Sequence, residues 1–207
     1  LVVVQHASWL ALHTAVETWD DDAGLFRLAL CFASGTEAAC SVGAPYPPLV
    51  PWVSSRLMGE VPTLQGALAS LWPFVALLMG ALFVGVRQRM GTMAALTAMV
   101  LGPVMVWSLH IRGKYYTEVP LAALCITAVA ALAVSDGLRR RLPSLVFGAA
   151  MGLGLLTKWS FAFFLGPVAA VAMALAVRGA VSHPVSQVIG VAGVLAVPAF
   201  VLAGAAG

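Results

Sequence analysis

Apolar runs of about membrane-spanning length, separated by short polar connections, fill the chain after residue 63. They cover roughly residues 64–86, 91–110, 118–135, 143–157, 159–177 and 187–206. Because a transmembrane helix needs about 20 apolar residues, the pattern predicts an all-α bundle of five to six membrane-spanning helices. The fourth and fifth runs are short and have only Lys158 between them, so a single bent pair is an alternative there.

The segment before these runs, residues 17–63, is the least apolar part of the chain and predicts a large loop. Leu25, Leu28, Ala29 and Phe32 recur at helical spacing, which predicts a short amphipathic helix lying at the membrane interface. The prolines at 45, 47, 48 and 51 are expected to stop any helix until Trp52 and Val53 begin a second amphipathic segment.

The ends of the sequence suggest a piece of a longer protein. The chain begins at Leu1 without Met and ends in an apolar run at Gly207. We therefore expect residues 1–207 to form one membrane-domain fragment, in which residues 1–16 are the end of a first span.

Composition supports the membrane assignment. Hydrophobic residues make up 61% of the chain and charged residues 9%, whereas soluble domains have about 25% charged residues. The net charge of +3 does not indicate a nucleic-acid partner, because the basic residues form short clusters between apolar runs rather than one continuous face.

Those basic clusters predict the orientation of the spans. Arg87 with Arg89, the residues 139–141, and Arg178 follow one another at intervals of two spans, so all three clusters share one face. The positive-inside rule makes that face cytoplasmic. Residues 17–63, the 111–117 connection and Lys158 then share the opposite face, where distant segments can build one site.

Three cysteines are too few for a disulfide framework or a thiolate metal site. Cys125 lies in an apolar run and is expected to pack there. Cys31 and Cys40 both fall in the predicted outer segment, where an oxidising compartment permits a bridge. Two buried thiols are the alternative, since Cys is among the most buried residue types.

Three consecutive aspartates, Asp20, Asp21 and Asp22, follow the first apolar stretch of a chain with only eight acidic residues. Carboxylates clustered at a membrane boundary indicate a functional site by default. The alternative is a solvated cap, because Asp is favoured at helix N-termini and residues 23–30 can begin a helix. The triplet alone leaves both interpretations open.

Further charged and aromatic residues fall on the same predicted outer face. They are Glu60, Arg112, Lys114, Tyr115, Tyr116, Glu118 and Lys158. A carboxylate there can act as a general base or hold a divalent cation, and Arg or Lys can hold a phosphate. The combination fits transfer from a lipid-linked phosphate donor. The competing interpretation is that the cations anchor helix ends, with Tyr115, Tyr116 and Trp159 as an aromatic belt.

Four short motifs occur in order along the chain. They are WDDDA at 19–23, YPPLVPW at 46–52, TEVPLA at 117–122 and GLLTKWSFAFFLGP at 154–167. Together they resemble the N-terminal half of GT-C type polyprenyl-phosphate-dependent glycosyltransferases, the protein mannosyltransferase and aminoarabinose-transferase-like membrane enzymes. The resemblance covers most of residues 17–167 and implies an inverting sugar transfer outside the cytoplasm.

The resemblance also implies roles for the matching residues. The catalytic acid of the first outer loop falls on Asp21, with Asp22 as its acidic neighbour and Asp20 as an alternative register; it deprotonates or orients the acceptor. Glu118 matches an acidic residue before Pro-Leu, as a metal ligand or an acceptor contact, so a divalent metal cation is the one cofactor implied. Lys158 matches the lysine of Leu-Thr-Lys, as a donor-phosphate contact or an anchor.

The chain departs from the family pattern at two of these positions. Tyr46 stands before Pro-Pro-Leu, where aminoarabinose-type members often have Lys, so Arg112 or Lys114 is expected to take over the phosphate contact. Glu118 stands where Asp is commoner. The residues expected to bind the donor are Arg112, Lys114, Tyr116, Lys158 and Tyr46.

The implied partners are a polyprenyl-phosphate-linked sugar, a lipid, glycan or protein acceptor, and the membrane itself, with no nucleic acid. The expected location is a bacterial inner membrane, with the site facing the periplasm or exterior. A transporter or flippase for a lipid-linked or anionic substrate is the alternative function, although transporters place ionisable residues near span centres and here they lie at span ends. A purely structural membrane subunit is a third interpretation.

Overall fold

The computed structural model describes residues 20–34, 47–58, 63–108, 115 and 117–179. Within these ranges every regular element is an α-helix, which confirms the all-α class. The helices are α1 (Asp20–Ser34), α2 (Leu49–Leu57), α3 (Leu64–Ala69), α4 (Trp72–Ser108), α5 (Glu118–Val134), α6 (Arg141–Thr157) and α7 (Phe161–Gly179). The helices match the predicted apolar runs. The runs 64–86 and 91–110 fall on α3 and α4, and the runs 118–135, 143–157 and 159–177 fall on α5, α6 and α7. The run 187–206 lies outside the described residues.

The predicted amphipathic helix in the first loop is α1. The four apolar positions that defined it, residues 25, 28, 29 and 32, are all buried. Leu25 and Ala29 belong to the main core, in which α1 packs along α2, and Leu28 and Phe32 form a separate small cluster. The part of the stripe through Leu25 and Ala29 therefore faces other helices of the chain, as its helical period predicts.

Helix α2 begins three residues earlier than the prolines suggested. It starts at Leu49, directly after Pro48, and it accommodates Pro51 in its first turn. Proline is tolerated there because the first N–H groups of a helix have no partner within the helix. The expectation was therefore wrong for Pro51 alone, since Pro47 and Pro48 do precede the helix. Trp52, expected to begin the helix, lies on its exposed side.

The element α4 consists of two helical segments, residues 72–90 and 92–108, which form a helical hairpin; they are called its first and second limbs. Gly91 between them has φ 84° and ψ 177°, far from helical values. A Cβ added at Gly102 would overlap Leu82 Cδ1, whereas these residues would lie about 30 Å apart in a straight helix. The chain therefore reverses at Gly91, which gives the two antiparallel segments predicted from the two apolar runs.

Two tight turns connect the last three helices. Between α5 and α6 the chain turns through 135–140, with positive φ at Asp136, Gly137 and Leu138, and Leu138 is buried beneath the turn. Between α6 and α7, residues 158–160 form a turn in which the Phe161 N–H donates to the Lys158 carbonyl at 3.0 Å. The two apolar runs around Lys158 are thus separate helices.

The first limb of α4 and helix α5 run side by side in the same direction. A Cβ at Gly85 would lie 3.2 Å from Ala130 Cβ, and Ser54 bridges Ser70, just before α4, to Tyr115, just before α5. Both segments therefore begin at one end of the bundle and finish at the other.

The arginine clusters lie at the end where these segments finish. The Gly91 reversal carries Arg87 and Arg89, and the α5–α6 turn leads into residues 139–141; all five arginine side chains are exposed. This agrees with the sequence prediction for two of the three basic clusters. Arg178 lies near the last turn of α7, which the sequence predicts to share that end.

One helical run, Leu64–Val104, is long and apolar enough to cross a membrane. It contains the Gly91 reversal, so it consists of two limbs rather than one straight rod. Shorter apolar stretches of 10–17 residues occupy the other helices, at Gly24–Ser34, Glu118–Val134, Arg141–Thr157 and Phe161–Ala174.

We predict that Gly91→Ala destabilises the protein by about 1–3 kcal/mol, since the Gly91 backbone lies in a region that is essentially restricted to glycine. Thermal unfolding of the purified protein in detergent measures this. The control is Gly80→Ala, at a helical position where a Cβ meets no atom within 4 Å; there alanine should be neutral or stabilising by up to about 1 kcal/mol. Equal behaviour of the two variants would contradict the hairpin assignment.

Candidate functional site

An ion pair joins two segments that lie 40 residues apart in the sequence. Lys158 Nζ lies 2.6 Å from Glu118 Oε1. The side chains are 42% and 38% exposed respectively, so the pair sits at the rim of the helix bundle and not in its core. The distance is that of a charge-assisted hydrogen bond.

Glu118 is positioned by the start of α5. It is the first residue of that helix, where a carboxylate interacts favourably with the positive end of the helix dipole. Its neighbours Thr117, Val119 and Pro120 are buried. The backbone that carries Glu118 is therefore fixed by packing on both sides while its carboxylate remains at the rim.

Lys158 is positioned by the turn between α6 and α7. Its backbone is extended, and its N–H donates to the Gly154 carbonyl at 3.2 Å, which closes the end of α6. The buried ring of Phe161 packs directly on Gly154, so closely that a Cβ there would overlap the ring. Glycine at 154 thus allows α7 to begin close to α6 and places Lys158 beside Glu118.

The second carboxylate oxygen of Glu118 has a different environment. Oε2 is buried and, among the described residues, has no hydrogen-bond partner. A buried acceptor without a donor is unfavourable by about 1–3 kcal/mol. Within the described part of the chain, Oε2 is therefore an open acceptor next to a cation at the rim.

Three buried hydroxyl groups lie beneath the rim. The Tyr115 hydroxyl donates to Ser54 Oγ at 2.5 Å, and Ser54 Oγ and Ser70 Oγ lie 2.5 Å apart. Ser70 donates onward to the Ala67 carbonyl at 2.6 Å. This hydroxyl chain, Tyr115–Ser54–Ser70, joins α2, the α3–α4 junction and the segment that leads into Glu118.

The hydroxyl chain corrects the interpretation of Tyr115 as an aromatic-belt residue. Its side chain is 0% exposed, and burial raises the pKa of Tyr115 well above its usual range, while the hydrogen bond with Ser54 lowers it by less. Tyr115 is thus a neutral, buried anchor. Trp159 is 61% exposed at the same end and fits the belt interpretation.

The three aspartates begin helix α1, because Asp20 is its first residue. That position agrees with the helix-start interpretation of the triplet and does not decide between a cap and a site. The side chains of Asp20, Asp21 and Asp22 lie outside what the structure describes. The same holds for the whole residues Tyr46, Glu60, Arg112, Lys114 and Tyr116, and for Cys40, so their predicted roles and the Cys31–Cys40 bridge stay predictions.

A divalent cation finds little support in the described residues. They contain no group of three or more His, Cys, Asp or Glu side chains that could hold a metal. Glu118 Oε1 already contacts an ammonium group, and a second cation on that oxygen would be repelled. The divalent cation that the family resemblance implies at Glu118 stays a prediction.

Comparisons with known protein families, with characterised proteins and with solved structures gave no match. The family resemblance therefore rests on the four motifs alone. Two of these motifs, 117–122 and 154–167, meet in the Glu118–Lys158 pair, which the sequence placed on one face without pairing them. The hydroxyl chain had no signal in the sequence beyond the presence of the residues.

We predict that Ser54→Ala lowers the free energy of unfolding by about 1–3 kcal/mol, because it removes the central hydroxyl of a buried chain. Ser55→Ala, one residue further along α2, removes only a local bond to the Trp52 carbonyl and should change stability by less than about 0.5 kcal/mol. Denaturant unfolding in detergent compares the two variants. A Ser54 variant as stable as the Ser55 variant would show that the hydroxyl chain does not hold these segments together.

Proposed function

We propose that the chain is the N-terminal part of an integral-membrane glycosyltransferase of the GT-C type, which moves a sugar from a polyprenyl-phosphate donor to an acceptor on the extracytoplasmic side. The observation that carries the proposal is the Glu118–Lys158 ion pair. It joins an acidic and a basic residue from two family-like motifs at one end of the bundle.

The proposal includes a polytopic membrane arrangement. The two limbs of α4 and helices α5 to α7 are apolar and antiparallel to their neighbours along the chain. Among the described residues of 72–108 and 117–179, the charged residues lie at helix ends or in turns. Five exposed arginines occupy the end opposite Lys158. The positive-inside rule then places that end in the cytoplasm and the ion pair outside it.

A polyprenyl-phosphate donor suits a rim of this kind, since its tail belongs in lipid and its headgroup at the surface. The Lys158 ammonium has three N–H donors, of which Glu118 accepts one. With the side chain 42% exposed, the remaining donors are available to a phosphate oxygen. Arg112 and Lys114, in the segment before α5, are proposed to complete the phosphate contact, with Tyr116 and Tyr46 beside the sugar.

The proposed reaction is an inverting displacement. Asp21 accepts the proton of an acceptor hydroxyl, whose oxygen forms a bond to the anomeric carbon as the bond from that carbon to the phosphate oxygen breaks. The polyprenyl phosphate leaves with the electron pair, and the cations at the rim stabilise the charge on it. Asp22 or Asp20 takes the role of the base if the triplet is shifted by one residue.

A transporter or flippase is supported less well. Transporters commonly build their substrate site from broken helices and polar groups near the membrane midplane. In the described helices 72–179 the one sharp break, at Gly91, lies at a helix end beside Arg89, and the ionisable side chains also avoid the helix centres.

We predict that Asp21→Asn lowers the turnover number for sugar transfer by roughly 10²- to 10⁴-fold, the usual contribution of a general base. The assay is transfer from purified polyprenyl-phosphate sugars by the full-length protein in detergent or vesicles. Asp20→Asn and Asp22→Asn are the matched controls, each removing one charge from the same helix start. If all three variants keep full activity, the base assignment is wrong; if only one of the controls is inactive, the base is that residue.

We predict that Lys158→Gln raises the KM for the donor by about tenfold or more, as expected for a lost hydrogen bond to a charged group. Lys158→Arg should restore most of the affinity. Stability should change by less than about 1 kcal/mol in Lys158→Gln and in Glu118→Gln, because the ion pair is partly exposed. A Lys158 variant with normal KM but reduced stability would assign the lysine a structural role only.

A further inference from the structure

An apolar groove runs along the surface between the first limb of α4, α5 and α6. Its volume is about 390 Å³, and it is lined from the three helices by Ala76, Gly80 and Val84, by Thr127, Ala130 and Val134, and by Leu142 and Val146, among others. The groove is built by small residues at its floor, since Ala130 and Ala131 are buried. At Gly80 an added Cβ would meet no atom within 4 Å, so the groove is open there.

Large apolar side chains border this groove and remain exposed. Leu142 is 71% exposed, and Leu77, Val84 and Val146 are also exposed. In the membrane arrangement proposed above, these side chains face the hydrocarbon of the bilayer, so an acyl chain can occupy the groove.

One end of the groove coincides with the arginine end of the bundle. Leu142, which lines the groove, directly follows Arg139, Arg140 and Arg141, and Val84 lies one helical turn before Arg87. All four arginine side chains are exposed. The one ion pair between described residues is the distant Glu118–Lys158 pair. Asp136 in the same turn is the one described carboxylate near these four guanidinium groups, and it forms no ion pair with them, so the cluster keeps a net positive charge.

The arginines do not stabilise the helix that follows them. Arg140 is the N-cap of α6 and Arg141 its first residue, and cations at the positive end of a helix dipole are unfavourable. Their charge therefore suits an anion that binds from outside the protein.

We propose that this groove and the residues 139–141 form a binding site for an anionic phospholipid, with an acyl chain in the groove and the phosphate-bearing headgroup on the arginines. The proposal rests on the membrane arrangement given above, and not on the sugar-transfer activity. Charge complementarity selects the occupant: a zwitterionic lipid would fill the groove equally well but would leave the arginines without a net negative partner. Basic pockets between membrane helices are known to select anionic headgroups in this way.

The test is the binding of fluorescent phosphatidylglycerol and phosphatidylcholine, titrated onto the full-length protein in non-ionic detergent. We expect phosphatidylglycerol to bind more tightly. Replacing Arg139, Arg140 and Arg141 together by Gln should weaken its binding on the order of a hundredfold, at about fivefold for each arginine. Gly80→Phe should fill the groove and weaken the binding of both lipids.

Each variant has a matched control. Arg27→Gln with Arg56→Gln removes exposed arginines from the first loop, away from the groove, and should leave lipid binding unchanged. Gly166→Phe adds the same ring to α7 at another glycine where a Cβ meets no atom within 4 Å, and it should likewise have no effect. If the triple variant does not fold, Arg140→Gln alone should still show about a fivefold loss.

Equal affinity for the two lipids would overturn the proposal, as would a preference for phosphatidylglycerol that survives both the arginine and the Gly80 changes. Crosslinking that fills the groove with another segment of this chain or with a second copy would also overturn it. This test is independent of the enzymatic proposal, because lipid binding is measured without sugar donor. The Asp21→Asn variant should bind phosphatidylglycerol normally even if it transfers no sugar.

Discussion

The buried hydroxyl chain Tyr115–Ser54–Ser70 fixes the end of the molecule on which the candidate site depends. A phenol removed from water must find a partner, because an unpaired buried hydroxyl costs about 1–3 kcal/mol. Tyr115 finds one only when α2 lies against the beginnings of α4 and α5. This requirement holds α2 against the bundle. Because Glu118 follows Tyr115 by only three residues, the same anchor fixes the backbone that places the Glu118 carboxylate beside Lys158.

The helices themselves could be predicted from the sequence, because the length of each apolar run and the polar residues between runs determine where a helix begins and ends. The runs at 118–135 and 143–157 became Glu118–Val134 and Arg141–Thr157, with errors of one or two residues. The stripe through Leu25 and Ala29 predicted both the helix and its buried face. Local periodicity is sufficient wherever one helix face meets a core.

The candidate site could be predicted only in part, because which side chains contact one another depends on how distant segments pack together. The sequence placed Glu118 and Lys158 on one face but could not show that they are 2.6 Å apart. For Tyr115 the sequence offered a place on the charged outer face or in an aromatic belt, and neither interpretation predicted its burial. A tyrosine beside charged residues looks the same in sequence whether its hydroxyl faces water or a buried serine. The start of α2 was predicted three residues too late because of Pro51. Whether a helix tolerates a proline depends on its position, and the first turn, where Pro51 lies, accepts one.

The two interactions at this end of the bundle differ in what it costs to break them. The hydroxyl chain is buried, so opening it exposes unsatisfied donors in an apolar surrounding and is expensive. The Glu118–Lys158 pair is about 40% exposed on each side, and ion pairs of that kind contribute about 0–1 kcal/mol. The Lys158 ammonium can therefore direct its remaining donors toward the proposed phosphate at little cost, while the backbone beneath it stays in place. The proposed site thus combines a weakly held cation at the rim with a rigid, buried anchor below it.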